Sequence, residues 1–424
     1  MESATPKINL IDPFSSEKWT RWAPRQEISP AFDRIKIGNE VQLMIGSKGH
    51  CNNYGKWYCE LLEIQGDAEY DFSVEYHPEN IDSEDVSIYA ILTWKDREGE
   101  LLRREYVDNI SVLSDGWKGL QRTVRSPNDS YSLTAELAFR WAKDGVVIWR
   151  NPVLYKTDKS IVHRNVKVAT TSIRTRHNTK DNLDAMRLYI DKAGQAGADI
   201  ICITETFYGR FADISPYDIS QTVPGDLTNA ISVKAKEHGA YIIFSMYEKD
   251  DNDIYNTAVL IDRNGEIAGK YRKVHLPLSE VEAGVTPGNE YDIFDTDFGR
   301  IGIMICWDQA FPENARALTN KGAEIIFIST MGDEPLQQMA RAKDNGVYVV
   351  VAGMYGPASS RIIDTYGQVI ATAESQNKDE DEGICIAEID LEKPNYTTWL
   401  SLGPCLSEPR SVYRKERRVD TYNF

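Results

Sequence analysis

Three reactive side chains occur along this sequence in the order carboxylate, ammonium, thiol. Glu205 follows the apolar run Ile200–Ile203, and Cys306 follows the apolar run Ile301–Ile305. Lys273 lies between them in the basic segment YRKVHLP. An acid that closes a buried strand must be paired or functional, because apolar surroundings raise its pKa or cost several kcal/mol. A single cysteine is more often a small core residue, so the prediction of a reactive site depends on all three residues together.

The position of Cys306 predicts a thiol with raised reactivity. Pro312 suits the first turn of a helix and Gly322 suits its end, so the cysteine lies where a strand gives way to a helix. The partial positive charge of a helix N-terminus favours thiolate over thiol. We therefore expect the thiolate form of Cys306 to be favoured.

With its flanking segments, this ordered set resembles the nitrilase superfamily of carbon–nitrogen hydrolases. Members carry a glutamate after an early strand, a lysine in a YRK-H-L-P-like segment and a cysteine in a G-x-x-I-C-[WY]-D-like segment. The resemblance covers roughly residues 166–391 and includes the IYNTA string, the TPG turn and the SRIID run. It implies that Glu205 is the general base, Lys273 the oxyanion stabiliser and Cys306 the nucleophile. The backbone N–H of Trp307 is expected to assist Lys273.

Further acidic residues are candidates for the same site. Glu280 matches the supporting glutamate of the superfamily, although Glu282 is near enough to leave that assignment open. A carboxylate beside Lys273 would keep its ammonium charged and oriented, since a buried lysine otherwise tends to lose its proton. Glu248 and Asp308 are predicted pocket residues, and a solvated loop acid is an equal interpretation of Glu248.

The chemistry explains why these residue types belong together. Cleavage of an unactivated amide needs a nucleophile, a proton acceptor and positive charge where negative charge develops. Cys306 would attack the carbonyl carbon, and Glu205 would accept the thiol proton and pass it to the departing ammonia or amine. Water would then hydrolyse the thioester. This scheme requires no metal and no cofactor, and the six histidines show no metal-ligand spacing.

Composition and charge argue against several other classes. The 424 residues carry a net charge of −17, which disfavours nucleic acid and anionic membrane surfaces as partners. Six dispersed cysteines do not form a disulfide framework, although Cys51 and Cys59 would be the pair to form in an oxidising compartment. The sequence shows neither an apolar signal region nor a run of about 18 apolar residues, which predicts a cytoplasmic protein. It contains no GxSxG elbow, P-loop, HExxH or paired CxxC motif.

Residues 1–155 are predicted to form an all-β domain. Alternating apolar residues indicate one hairpin of residues 86–94 with 101–107, and a second of 133–141 with 146–149 around Asp144-Gly145. Short strands and polar turns favour a jelly-roll-like β-sandwich. In texture this domain resembles carbohydrate-binding modules of the galactose-binding-like kind.

Aromatic residues allow two interpretations of the same domain. It contains seven of the nine tryptophans, namely Trp19, Trp22, Trp57, Trp94, Trp117, Trp141 and Trp149. They would either form a stacking platform for a sugar or, as we favour, fill the sandwich core at Trp94, Trp141 and Trp149. We therefore predict that residues 1–155 serve as a cap or docking module rather than as a sugar-binding one.

The polar stretch 156–165 is predicted to link this domain to an α/β domain that spans residues 166–424. Within the second domain, a pattern of helix, Gly-Ala and apolar strand recurs at Gly197, Gly239 and Gly322. The superfamily resemblance implies that these elements form a four-layer α-β-β-α sandwich.

The leading functional prediction is a thiol-dependent hydrolase of a small amide or N-carbamoyl compound. Asp308 stands where nitrile-cleaving members usually carry glutamate, which favours an amide over a nitrile. One alternative is a nitrile-hydrolysing member. Another is a carbohydrate- or glycoconjugate-binding protein whose hydrolase domain is a scaffold, and a third combines docking with catalysis. By the same resemblance, Trp399 in the C-terminal tail is expected to anchor a homodimer or higher homo-oligomer.

Overall fold

The computed structural model describes residues 8–158, 161–210, 214–354, 356–375, 382–398 and 405–422. The chain divides into two compact units, one formed by residues 1–162 with 394–424 and the other by residues 163–393. In these described ranges, no helix is both long and apolar enough to cross a membrane. Cys51 and Cys59 are both free thiols, as are the other cysteines.

The first unit begins with strands that a short helix interrupts. Apolar and polar residues alternate along most of them, which is the period of half-buried strands. The strands are β1 (Thr20–Trp22), β2 (Ala31–Ile37), β3 (Glu40–Gly46), β4 (Tyr54–Leu62), β5 (Glu69–Glu79), β6 (Ile88–Lys95), β7 (Leu101–Val107), β8 (Asn109–Val112), β9 (Lys118–Arg125), β10 (Ser132–Arg140) and β11 (Val146–Thr157), and helix α1 is Glu84–Ser87.

These strands form two antiparallel sheets that share one apolar core. One sheet contains β1-β4-β10-β6-β7 in that order, and the other contains β2-β3-β11-β5-β9-β8. Trp94 and Trp149 are completely buried in the core. Tyr70 lies 5.7 Å from Trp94 and Tyr76 lies 5.6 Å from Trp149, measured between ring centroids. Such aromatic side chains supply much of the buried apolar area of a β-sandwich. The jelly-roll connectivity stays a prediction.

Two expectations for this unit need correction. β6 pairs with β7 as predicted, but β10 and β11 lie in different sheets, so the second predicted hairpin is wrong. The turn at Asp144-Gly145 instead connects the two sheets. A turn within one sheet and a turn between two sheets use the same residue types, so the sequence does not distinguish them. Trp141 does not belong to the core: its backbone is left-handed, and the guanidinium of Arg140 lies 4.0 Å from its ring centroid.

The second unit alternates helices and strands. Its strands are β12 (Asn165–Ser172), β13 (Ile200–Cys202), β14 (Tyr241–Asp250), β15 (Asp253–Ile261), β16 (Ile267–Arg272), β17 (Ile293–Asp295), β18 (Arg300–Ile305), β19 (Ile325–Ser329), β20 (Tyr348–Ala352), β21 (Arg361–Ile363), β22 (Val369–Thr372), β23 (Glu374–Ser375) and β24 (Gly383–Asp390). Its helices are α2 (Thr179–Gln195), α3 (Pro216–Ile219), α4 (Asp226–His238), α5 (Leu278–Glu282), α6 (Pro312–Asn320) and α7 (Pro335–Asn345). Gly197, Gly239 and Gly322 follow α2, α4 and α6 with positive φ, as the repeated pattern predicts.

The layers of this unit are two sheets and two pairs of helices. The first sheet has the order β16-β15-β14-β13-β12-β24-β23, and the second has the order β17-β18-β19-β20-β21-β22. Buried residues of both sheets, such as Cys202 and Phe327, form one core between them. Helices α2 and α4 cover the outer face of the first sheet, and α6 and α7 cover the outer face of the second. The result is a four-layer α-β-β-α sandwich.

The C-terminal segment returns to the first unit. Its elements are β25 (Thr397–Thr398), β26 (Leu406–Ser407) and α8 (Pro409–Lys415). β26 pairs with β7, and Val412 of α8 packs against Tyr89 on the outer face of β6. The buried ammonium of Lys415 lies 2.7 Å from a carboxylate oxygen of Asp85. The prediction that residues 394–424 extend the second domain is therefore wrong.

The physical reason is the apolar outer face of β6, which α8 covers. The predicted linker also differs in extent, since β11 continues to Thr157 and β12 begins at Asn165. The proposed interface anchor Trp399 lies outside the described residues.

Candidate active site

Cys306 lies at the end of buried strand β18, in a strained turn. A 3-10 helix, Cys306–Ala310, follows the strand before α6 begins at Pro312. The backbone of Cys306 is left-handed, with a φ of 44°. For a residue other than glycine such strain costs roughly 1–3 kcal/mol and is concentrated at functional sites. The surrounding contacts must therefore hold this turn in place.

Asp308 supplies several of those contacts. It is completely buried, and its carboxylate accepts hydrogen bonds from the backbone N–H of Ile305 at 3.0 Å and the hydroxyl of Tyr271 at 2.8 Å. It also accepts one from the backbone N–H of His275 at 2.9 Å. Asp308 thus joins the Cys306 turn to the segment that carries Lys273. These contacts make it a structural residue rather than the pocket residue that we predicted.

Glu205 follows β13 and is only 2% exposed. Its Oε1 accepts hydrogen bonds from the ammonium of Lys273 at 3.0 Å and from Nδ2 of Asn256 at 2.9 Å. Its Oε2 accepts a longer one, of 3.3 Å, from the backbone N–H of Met331. The charge of Glu205 raises the pKa of Cys306 and that of Lys273 lowers it, so the thiol lies within electrostatic range of both side chains. The structure therefore brings Glu205, Lys273 and Cys306 together.

Lys273 and Asn256 bridge two carboxylates. The Lys273 ammonium, 1% exposed, donates to Glu280 at 2.8 Å as well as to Glu205. Nδ2 of Asn256 likewise donates to Glu280 at 2.8 Å and to Glu205. The four side chains form a closed ring of hydrogen bonds, which we call the carboxylate ring. Glu282 is exposed at the end of the same helix α5, so the contact with Lys273 belongs to Glu280.

The charges of these groups set their protonation states. Burial favours the neutral form of Glu205, but the charge and hydrogen bond of Lys273 and the charge of Arg210 lower its pKa overall. Burial works against the ammonium of Lys273 too, yet its two carboxylate partners raise its pKa. Burial and the nearby charge of Glu205 raise the pKa of Cys306. The resting site therefore combines an ionised pair with a neutral thiol.

This result corrects the expectation of a thiolate stabilised by a helix N-terminus. Cys306 begins a short 3-10 helix, while α6 starts only at Pro312. The weak field of a short helix is outweighed by burial and by the carboxylate of Glu205. A neutral thiol needs a base, and Glu205 is the adjacent candidate.

Trp307 and Tyr247 lie at the margin of the site. Trp307 directly follows Cys306, and its backbone N–H is in the first turn of the 3-10 helix, where N–H groups have no intrahelical acceptor. Its side chain is 46% exposed. Burial, and to a lesser extent the charge of Glu280, raise the pKa of Tyr247 to about 12, so this phenol is neutral at physiological pH.

Glu248, by contrast, is engaged elsewhere. Its carboxylate accepts hydrogen bonds from Nε of Arg272 at 2.9 Å and from the hydroxyl of Thr257 at 2.7 Å, and it also pairs with Lys270. Thr257 directly follows Asn256 in β15, so the two side chains point to opposite faces of the sheet. Within the described ranges, the contacts of Glu248 are cross-strand pairs that do not reach the carboxylate ring.

Asn256 is a site residue that the sequence does not predict from its position in the IYNTA string alone. The available signal is a lone amide directly before the apolar run TAVLI. Asn256 is completely buried and its amide contacts both carboxylates. A polar residue buried in this way is usually satisfied by a specific partner.

Comparison with known proteins places this site in a family. The carbon–nitrogen hydrolase family matches residues 167–394, which is more than half of the chain. The chain is 32% identical over 272 residues to omega-amidase NIT2-A of Xenopus laevis, covering 57% of this chain and 91% of that protein. It is 33% identical over 242 residues to a nitrilase of Pyrococcus abyssi, covering 53% of this chain and 90% of that protein. The chain belongs to the carbon–nitrogen hydrolase family.

The fold agrees with this assignment. A crystal structure of a carbon–nitrogen hydrolase from Helicobacter pylori G27 matches with a TM-score of 0.52 and 22% identity, covering 62% of this chain and 98% of that one. The matched family segment includes the carboxylate ring and Cys306, while residues 8–158 of the first unit lie before it.

Proposed function

We propose that the second unit is a thiol-dependent amidohydrolase that cleaves a small amide or N-carbamoyl compound through a thioester on Cys306. The observation that carries the proposal is the buried carboxylate of Glu205, which accepts a hydrogen bond of 3.0 Å from the Lys273 ammonium and raises the pKa of the Cys306 thiol. The omega-amidase relatives support an amide as the substrate class.

The first half-reaction forms the thioester. Glu205 takes the proton of Cys306 as the sulfur attacks the carbonyl carbon, and negative charge develops on the carbonyl oxygen. The Lys273 ammonium and the backbone N–H of Trp307 stabilise that charge. Glu205 then returns the proton to the departing nitrogen, the carbon–nitrogen bond breaks, and ammonia or amine leaves.

The second half-reaction restores the enzyme. Glu205 takes a proton from water as the water oxygen attacks the thioester carbon. The carbon–sulfur bond breaks, the acid product leaves, and the proton returns to the Cys306 thiolate. Glu280 and Asn256 keep the ammonium of Lys273 and the carboxylate of Glu205 at the same separation through both halves.

A substrate panel tests this proposal. Purified enzyme is incubated with small ω-amides, N-carbamoyl amino acids and nitriles, and ammonia release is measured. We expect turnover of an amide or carbamoyl compound and its complete loss in Cys306→Ala. Iodoacetamide should label Cys306 faster than buried Cys202, which is the matched control. Activity on nitriles alone would favour the alternative of a nitrile-hydrolysing enzyme, and activity retained by Cys306→Ala would exclude the thioester route.

A second proposal concerns the first unit, which we infer binds a carbohydrate in a cleft of about 430 Å³ on the outer face of its first sheet. Glu136 on the cleft floor is 4% exposed and accepts hydrogen bonds from Thr93 at 3.0 Å, Lys56 at 2.6 Å and Arg104 at 2.9 Å. Thr134 also lines the cleft, and its buried hydroxyl has no hydrogen-bond partner within the described ranges. The floor is thus a fixed polar surface with an unused hydroxyl.

Trp22 supplies the apolar side of the cleft. Its side chain is 41% exposed, and its ring lies 5.0 Å from the ammonium of Lys56. Sugars present hydroxyl groups that both donate and accept, together with C–H faces that stack on indole rings, so floor and ring suit the two sides of one sugar.

Binding of plant and fungal oligosaccharides tests the second proposal. We expect cellulose-, xylan-, mannan- or chitin-derived oligosaccharides to quench tryptophan fluorescence, and Trp22→Ala to remove most of the affinity. Trp117→Ala is the control, because Trp117 stacks with Arg150 on the other sheet. Absence of binding by all four classes, or equal loss in both variants, would contradict a sugar site here.

A further inference from the structure

A chain of buried polar side chains leads to the nucleophile. Arg361 donates to Oε1 of Gln338 at 3.0 Å, and Nε2 of Gln338 donates to Oε1 of Gln309 at 2.9 Å. Nε2 of Gln309 donates in turn to the hydroxyl of Thr330 at 3.3 Å. The hydroxyl oxygen of Thr330 lies 3.0 Å from the carbonyl oxygen of Gly332. All four linked side chains are buried, and the most exposed of them, Arg361, is only 5% exposed.

The charge of Arg361 determines the direction of every bond in this chain. A guanidinium group only donates, so the amide oxygen of Gln338 faces Arg361 and its NH2 group faces Gln309. By the same reasoning the NH2 group of Gln309 faces Thr330. The Thr330 oxygen is therefore an acceptor on that side, and its own hydrogen must point to another group. Asp333 balances the charge of Arg361 at 2.9 Å.

The Thr330 hydroxyl donates to the carbonyl oxygen of Gly332. Ile305 of β18 pairs with Ser329 of β19, so Cys306 and Thr330 are the next residues after two paired strands, and the sulfur of Cys306 is the second candidate acceptor. Burial raises the pKa of Cys306 and so does the charge of Glu205, whereas the charge of Lys273, the side chain of Thr330 and the backbone of Gly332 lower it. Glu205 and Lys273 are thus the charged groups that act on the sulfur. Glu280 and Arg210 act on those two in turn.

We propose that Thr330 donates a hydrogen bond to the sulfur of Cys306 as the thiolate forms. Gln309, Gln338 and Arg361 are positioning residues that keep the Thr330 hydroxyl directed as a donor. This inference rests on the proposed function, in which Cys306 is the nucleophile. It adds a neutral donor, which follows β19 of the second sheet, to a site whose charged groups come from the first sheet and the segments that follow its strands.

The hydroxyl acts at one step of the reaction. In the resting thiol it bonds to the Gly332 carbonyl; when Glu205 takes the thiol proton, it turns toward the thiolate. Only a rotation about the Cβ–Oγ bond of Thr330 is needed, so the strained backbone of Cys306 stays in place. Charge-assisted hydrogen bonds are about twice as strong as neutral ones, which favours the turned state only while the sulfur is charged.

Alkylation of the thiol tests this inference without any substrate. The full chain and its variants are treated with iodoacetamide across the neutral and alkaline range, and the Cys306 peptide is quantified by mass spectrometry. We expect Thr330→Val to slow labelling at neutral pH roughly tenfold and to move its inflection up by about one pH unit. Thr330→Ser should behave like the wild type.

A matched control separates the hydrogen bond from general loosening. Thr319 is also buried, and its hydroxyl bonds to the carbonyl of Ala315 within α6. Thr319→Val should leave the Cys306 profile unchanged. An equal shift in this control, or an unshifted profile in Thr330→Val, would overturn the proposed contact.

The positioning residues are tested by a double-mutant cycle. Gln309→Leu should move the profile in the same direction as Thr330→Val but by less, and it should add nothing in the Thr330→Val background. Additive shifts would overturn the idea that Gln309 acts through Thr330. Labelling requires no turnover. If no substrate of the panel were cleaved but Thr330→Val still shifted the pH profile of labelling, the proposed function would be rejected and the contact between Thr330 and Cys306 would stand.

Discussion

Glu205 and Glu248 look alike in sequence and differ in chemistry. Glu205 follows β13 and Glu248 lies in the neighbouring strand β14 of the same sheet, and both are 2% exposed. Glu205 shares a single ammonium, that of Lys273, with Glu280. Glu248 has two cations, because the side chains of both Arg272 and Lys270 bond to it.

The difference shows that the neighbouring groups, rather than burial, separate a reactive carboxylate from a structural one. Burial works against the ionised form of both, but Lys273 lowers the pKa of Glu205, and Arg272 and Lys270 lower that of Glu248. Only Glu205 also acts on a thiol, that of Cys306, whereas the side-chain partners of Glu248 in the described ranges are two cations and the hydroxyl of Thr257. Glu248 therefore stabilises the pairing of β14, β15 and β16, and Glu205 is the carboxylate that we propose as the general base.

The largest expected effect is on turnover. Glu205→Gln keeps the shape of the side chain but removes the base, so kcat should fall roughly a hundredfold to ten-thousandfold. Glu248→Gln should leave kcat within a few fold. Steady-state kinetics on the best amide of the panel measures both variants. Comparable losses in the two would remove the distinction between the two acids.

The opposite order is expected for stability. Glu248→Gln weakens charged hydrogen bonds to Arg272 and Lys270, both of which are partly exposed. The free energy of unfolding measured in urea should therefore fall by about 1.5–3 kcal/mol. Circular dichroism of the full chain follows the transition. Lys249→Gln, which changes the next residue in β14, serves as the control and should shift the midpoint little.

A smaller effect on turnover distinguishes the two acids of α5. Glu280→Gln loses the charged contact with Lys273, and a misplaced ammonium should lower kcat by up to roughly a hundredfold. Glu282→Gln changes an exposed residue of the same helix and should have no effect. If Glu282→Gln were the damaging change, Glu282 and not Glu280 would be the partner of Lys273 in the carboxylate ring.

The smallest effect is the pH dependence of stability. The pKa of Glu205 is lowered in the folded protein, so its ionisation stabilises the fold above its unfolded pKa of about 4.3, and this contribution is lost as pH falls through the folded value. The stability of the wild type relative to Glu205→Gln should therefore be constant above about pH 4.3 and should fall as the pH is lowered from there to the folded pKa. Relative stability of the wild type that rose toward acid pH would contradict the lowered pKa.

Local patterns were sufficient for the main elements of the second unit. Glycine at the end of a helix followed by an apolar strand marks Gly197, Gly239 and Gly322, and these positions follow α2, α4 and α6 in the structure. The apolar run before Cys306 and the proline after it likewise located β18 and α6. Such signals are local because a strand or a helix depends on residues only a few positions apart.

Contacts between distant segments were not accessible in this way. The hairpin predicted around Asp144-Gly145 failed because a turn within a sheet and a turn between sheets share one composition. The C-terminal helix α8 was assigned to the wrong unit because the apolar outer face of β6, which it covers, lies more than 300 residues earlier in the sequence.

By itself, the sequence determined the order of glutamate, lysine and cysteine and the kind of element on which each stands, because residue type and hydrophobic period are written along the chain. Only the tertiary structure decided that Asn256 joins the carboxylate ring, that Glu280 rather than Glu282 contacts Lys273, and that burial and Glu205 raise the pKa of Cys306. The physical reason is that hydrogen bonds and pKa values depend on distances and burial in space. Residues far apart in sequence acquire both only when the sheets pack together.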